Sequence, residues 1–184
     1  LPKTAPQRDY ARDEFYATDA ITDYAIDFAA QARERNKPLF LHVAYNAPHF
    51  PLQAPRERID HYMAVYLKGW DAIREEREVR LRQLGLLSDE ERAAGRGEVP
   101  ASQFIDTLSE EQQHDLARRM AIYAAMVDIM DRNIGRLIEA LRDNGQLENT
   151  LILFLSDNGA CAEWHEFGFD GRSGTNYHIH TADE

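Results

Sequence analysis

The chain has 184 residues, 43% of them hydrophobic and 29% charged, which suits a soluble globular class with room for one real core. Its formal net charge is −11 with no long basic run, which argues against nucleic acid as the main partner, because phosphate binding needs clustered Lys and Arg. No run of about 18 apolar residues is present to span a membrane, and the single cysteine, Cys161, excludes an intrachain disulfide.

The chain starts at Leu1 without Met and without a visible leader, as a mature or truncated piece would. Residues 1 to 14 are polar, with Pro2 and Pro6, and read as an extended lead-in. Thr18 or Asp19 can cap a helix. Ile21, Tyr24, Ala25, Phe28 and Ala32 then recur at helical spacing up to about Arg35. Asn36-Lys37-Pro38 stops that helix. Leu39 to Tyr45 is short, apolar and aromatic, as a buried strand should be.

Residues 56 to 66 and 70 to 84 read as two charged helices with largely solvated surfaces. Residues 88 to 107, with Gly95, Gly97 and Pro100, read as a long connection, so that 56 to 107 forms a helical insert. The clearest helix runs from Ser109 to Arg142. Ser109 with Gln112 offers a capping box. Leu116, Met120, Tyr123, Val127, Met130, Ile134, Leu137 and Leu141 step by four and three as a core-facing stripe. Asn144-Gly145 ends it, because both residues tolerate left-handed φ. A second strand is expected at 151 to 155. Helix and strand alternate around the insert, which implies an α/β fold with a largely parallel sheet and flanking helices. No repeat or linker divides residues 1 to 184, so they read as a single domain.

Two strand ends carry the candidate chemistry. Past Tyr45 the chain runs Asn46-Ala-Pro-His-Phe-Pro51. Pro48, Pro51 and Pro55 lack a backbone donor and forbid a continued ladder. His49 therefore sits on a stiffened loop at a strand's carboxyl end, where open α/β sheets bind ligands. His is also the side chain most readily tuned for proton transfer near neutral pH. The second strand ends in Asp157-Asn158-Gly159. A carboxylate beside an amide oxygen suits a hard cation such as calcium or magnesium, although the same residues make an ordinary Asx turn. His178 and His180 in the tail after Ala160 could share a strand face, but no Cys or acidic residue stands at ligand spacing with them. A solvated tail is the expectation there.

Phe15-Tyr-Ala-Thr-Asp-Ala20, Ala44-Tyr-Asn-Ala-Pro-His-Phe-Pro-Leu-Gln-Ala-Pro55, Tyr123-Ala-Ala-Met-Val-Asp-Ile-Met-Asp-Arg-Asn-Ile-Gly135 and Ser156-Asp-Asn-Gly159 together resemble the sulfatase family of the alkaline phosphatase superfamily. The likeness is greatest to bacterial arylsulfatases. It covers roughly residues 15 to 160, in the family's order. The resemblance implies a partial alkaline phosphatase-like fold and hydrolysis of a sulfate ester on a small molecule or glycan. It implies a formylglycine nucleophile made from a cysteine, and a divalent cation, usually calcium, that neutralises the sulfate oxygens. Carried over by position, His49 contacts the sulfate and the leaving-group oxygen, and Asp157 and Asn158 form the later half of the metal site. The formylglycine motif, the earlier metal-binding aspartates and a downstream lysine have no match. Cys161 lies in Ala-Cys-Ala-Glu-Trp, and no lysine follows Asn158.

The expected molecule is thus the middle of a sulfatase, inactive alone. It should self-associate through exposed core edges. Export to the periplasm or outside the cell is implied by resemblance only. A phosphodiesterase or phosphonate hydrolase of the same superfamily shares the metal site and is the alternative enzyme. A non-catalytic interaction domain, binding through the charged helices of 56 to 107, is the alternative of another class.

Overall fold

A computed structural model describes residues 7–12, 14–88, 90–91 and 108–159. The expected tail, with Cys161, His178 and His180, and most of the connection between 88 and 107 lie outside these residues. Four α-helices are described: α1 (Ala17–Glu34), α2 (Arg56–Tyr66), α3 (Trp70–Gln83) and α4 (Glu110–Asp143), with a short 3-10 turn at Leu147–Asn149. The chain divides into two compact units. One takes in the described residues up to Gln53 together with Met126–Asp157, and the other takes in the described residues of Ala54–Ala125 with Asn158 and Gly159.

Three helices stop in the same way. Asn36, Gly85 and Gly145 have φ of 49°, 70° and 68°. After each, the next amide reaches back to a carbonyl in the last turn: Lys37 to Ala32, Leu86 to Leu81 and Gln146 to Leu141, at 2.9, 2.9 and 2.8 Å. This is the Schellman arrangement, which satisfies carbonyls that a helix end otherwise leaves without donors. The expected stops at Asn36-Lys37-Pro38 and Asn144-Gly145 are therefore local and complete.

At the start of α4, the Ser109 amide donates to Gln112 Oε1 at 3.0 Å, and the Gln112 amide donates to Ser109 Oγ at 3.3 Å. The capping box forms as the spacing requires. The start of α1 differs from expectation. Tyr16, in extended conformation, precedes the first helical residue and makes no side-chain cap. Thr18 is buried inside the helix, and its carbonyl accepts from Thr22 Oγ1 at 3.0 Å.

In the first unit, Thr18, Ala20, Thr22, Ala25 and Ala29 of α1 are buried, as are Met126, Ile129, Asn133 and Leu141 of α4. Asn133 Nδ2 donates to Asp19 Oδ1 at 2.7 Å and to the Ile129 carbonyl at 2.9 Å, while Arg136 donates to Asn133 Oδ1 at 2.8 Å. Arg136 also reaches Asp23 at 2.5 Å. Asp23 accepts from the Tyr10 hydroxyl at 3.0 Å, and Arg8 makes a two-pronged contact with Asp27. The lead-in is thereby tied to α1. In the second unit, Asp115 is buried and paired with Arg119 at 2.7 Å, and Leu116, Ala117, Ala121 and Ala125 are buried beside it in sequence. Neither α2 nor α3 buries a residue, which agrees with their charged composition.

The face of α4 differs from the expected stripe. Tyr123 and Val127 are exposed, whereas Ala117, Ala121 and Ala125 are fully buried. Alanine has the least side chain to order, so burying these positions costs little conformational entropy.

The expected parallel sheet is not seen among the described residues. Residues 39–45 and 151–155 are extended, but neither makes a strand ladder among the described residues. A strand is stable only when its backbone groups are paired and one face is covered, and the described residues supply neither segment with a ladder partner. Along 39–45, Leu39, Leu41, Val43 and Tyr45 are half-buried, while Phe40, His42, Ala44 and Asn46 are exposed. That period of two is the signature of a strand with one covered face. Leu151 to Leu155 is exposed throughout.

Candidate functional site

His49 lies beyond the extended segment 39–45, between two prolines. The Ala47–Pro48 and Phe50–Pro51 peptide bonds are cis. The His49 amide donates to the Asn46 carbonyl at 2.9 Å, closing a turn. The exposed imidazole lies with Nδ1 at 2.6 Å from the Phe50 carbonyl oxygen. A carbonyl only accepts, so Nδ1 carries the hydrogen of this bond. In the neutral ring Nε2 is then the lone-pair nitrogen, and in the charged ring it is the second donor.

The loop is held at both of its ends. Before it, Tyr45 OH lies 2.7 Å from Thr22 Oγ1. Thr22 commits its own hydrogen to the Thr18 carbonyl, so Tyr45 is the donor. After it, Tyr16 OH donates to the Gln53 carbonyl at 2.9 Å. Burial pushes the Tyr16 phenol above its ordinary pKa, with nearby Asp19 adding to the effect. Sequence reading named Tyr45 without a task and missed Tyr16 and Thr22. The only signal was parity: Tyr45 shares the covered face of 39–45 with Leu39, Leu41 and Val43.

Asp157 and Asn158 are adjacent and exposed at the end of the second extended segment. Among the described residues, no hydrogen bond or ion pair joins His49 to Asp157, and no group of three or more His, Cys, Asp or Glu side chains is placed to hold a metal ion. Calcium takes about six to eight oxygen ligands. Asp157 and Asn158 supply too few to make a cation site by themselves. A shallow depression lined by Ala72, Glu75, Glu76, Val79, Arg80 and Gln83 lies wholly on α3 and includes none of these residues.

The sulfatase family model matches residues 2–182. The chain belongs to the sulfatase family. An uncharacterized sulfatase of Schizosaccharomyces pombe is 37% identical over 152 residues, covering 79% of this chain and 26% of that protein. An arylsulfatase of Klebsiella aerogenes is 36% identical over 148 residues, covering 80% of this chain and 31% of the relative. An arylsulfatase of Clostridium perfringens is 28% identical over 151 residues, 80% of this chain and 27% of that one. The chain thus spans about a third or less of the length of these sulfatases. Among the described residues, no helix is long and apolar enough to cross a membrane.

Proposed function

We propose that this chain is the histidine-bearing central part of a sulfuric ester hydrolase acting on a sulfated small molecule or glycan. The family-model match over residues 2–182 carries the reading. His49 supports it chemically. With Nδ1 tied to the Phe50 carbonyl, a charged imidazole has Nε2–H to give to an anionic ester oxygen, and that proton can pass to the leaving alkoxide. Asp157 and Asn158 are the proposed later half of a divalent-cation site, with calcium the expected ion and the other ligands lying elsewhere. The cation would neutralise the sulfate oxygens.

The chain alone is proposed to be inactive, since the formylglycine motif has no match in it. It is also proposed to self-associate. Leu151, Leu153, Phe154 and Leu155 are between 72% and 84% exposed, and apolar extended backbone that has no ladder among the described residues invites pairing.

The test is hydrolysis of a chromogenic aryl sulfate, with and without calcium, by this chain and by the complete product of its gene. Turnover by the complete product alone, lost on His49→Ala, is the expected result. Turnover by this chain alone would refute the assigned inactivity. A complete product that cleaves an aryl phosphodiester and leaves the sulfate intact would move the reading to the phosphodiesterases. Light scattering should show oligomers of this chain, and a monodisperse monomer at working concentration would refute self-association.

A further inference from the structure

From the geometry of the loop ends we infer that Tyr16 and the Thr22–Tyr45 pair are positioning residues. Through them the N-terminal half of α1 holds both ends of the loop that carries His49. The inference rests on the reading of His49 as the group that meets the sulfate ester.

Tyr45 is anchored on Thr22 at 2.7 Å and Gln53 is anchored by Tyr16 at 2.9 Å. Tyr45 immediately precedes Asn46, whose carbonyl closes the turn on the His49 amide. A displacement of Tyr45 is therefore passed to His49 through one turn. Both anchors belong to one rigid element, because Thr22 is buried in α1 and bonded to its own helix through Thr18. Tyr16 directly precedes the first residue of the same helix. Between the anchors the loop has little freedom of its own, since Pro48 and Pro51 each fix φ. Thr22 on the helix and Tyr16 at its entry thus fix where the loop begins and where it returns. Catalytic side chains must be held to within about half an ångström of their working position, and a misplacement of about 1 Å lowers rates steeply.

The experiment uses this chain labelled with 15N and the variants Tyr16→Phe, Tyr45→Phe and Thr22→Val. Each removes a hydroxyl that anchors the loop. Two quantities are read: hydrogen exchange at the His49 amide and the 15N shifts of the His49 ring, which report whether one tautomer is fixed. Each single variant should raise exchange at His49 roughly fivefold, the effect of one neutral hydrogen bond, and should blur the ring shifts toward a tautomer mixture. Thr22→Ser, which keeps the hydroxyl, should restore both. Tyr45→Phe combined with Thr22→Val should raise His49 exchange no further than Thr22→Val alone, because the Thr22–Tyr45 bond is already gone in that variant.

Unchanged His49 exchange and ring shifts in all variants would overturn the inference. So would an equal rise in exchange along the interior of α1, which would mean that the hydroxyls only stabilise the helix. The kinetic arm separates this from the reading beneath it. In the complete gene product, Tyr16→Phe should lower kcat more than it raises KM. If the loop loosens as described yet His49→Ala leaves turnover intact, the anchoring stands and the role of His49 falls. If His49→Ala abolishes turnover and the hydroxyl variants leave the loop unmoved, the role stands and the anchoring falls.

Discussion

Asn133 and Asp19 lie 114 residues apart in the chain, and their side chains meet at 2.7 Å. Asn133 is 2% exposed, so every polar atom it carries needs a partner inside the protein. Its amide nitrogen serves Asp19 and its own helix, and its oxygen receives Arg136. The bond joins the first long helix to the last, and it is a demanding one, because losing either partner strands a buried polar group.

Replacing Asn133 should therefore be among the more damaging single changes in this chain. Asn133→Leu keeps the bulk and removes three hydrogen bonds. A loss of about 1–3 kcal/mol is expected from the unpaired groups left behind. Urea unfolding followed by circular dichroism measures it, and a variant with an unchanged midpoint would show that the network is idle.

The capping box at Ser109 makes a smaller and more local claim. Ser109→Ala leaves the amides of the first turn of α4 short of an acceptor and should reduce stability by about 1 kcal/mol. Amide exchange should accelerate at the Gln112 amide and its neighbours, with the interior of α4 unaffected. Ser109→Asp should hold stability near the parent value, because a carboxylate accepts the same bond and favours a helix N-terminus.

At Gly145, φ is 68° and a Cβ would meet nothing within 4 Å. Any effect of substitution there is conformational and not steric crowding by neighbours. Gly145→Ala should reduce stability by about 1 kcal/mol, whereas Gly145→Asn should lose less. Thermal unfolding of the two variants side by side tests the order.

The Tyr10 phenol is pushed up to about 12, first by burial and then by its hydrogen bond to Asp23. The folded state therefore favours the protonated ring more than the unfolded chain does. That contribution is complete below pH 10, the ordinary value, and is lost as pH rises through about 12. Ultraviolet titration should find Tyr10 among the late-ionising tyrosines, with Tyr16 also raised, and Tyr10→Phe should remove one of them. Tyr10→Phe should flatten the fall in stability between those pH values.

What was legible in the sequence was what is decided locally. The ends of α1 and α4 follow from Asn36 and Gly145, each acting within about one turn of helix, and the Ser109–Gln112 box needs only four residues. The strands were legible as patterns and not as a sheet. The alternation along 39–45 is present, but pairing depends on backbone from elsewhere, which no period within the segment can supply. The stripe on α4 was read from residue size, so Tyr123 and Val127 were given places that Ala117, Ala121 and Ala125 hold. Asn133 was invisible because its partner is so distant in sequence. At the candidate site, the proline-flanked His49 stood out at once. Tyr16 and Thr22 did not, since nothing near them in sequence shows that they reach the two ends of a loop some thirty residues later.

The unit that carries His49 is built from two stretches of chain, with the whole of Ala54–Ala125 lying between them. Synthesis runs from the N-terminus at about 5–20 residues per second, so α1 and its loop leave the ribosome on the order of ten seconds before Met126–Asp157 arrives. During that interval Asp19 has no Asn133 to receive, and Asp23 has no Arg136. The nascent chain must keep α1 from finding other company until then, while α2 and α3, which touch each other and lie within one stretch, are both already made.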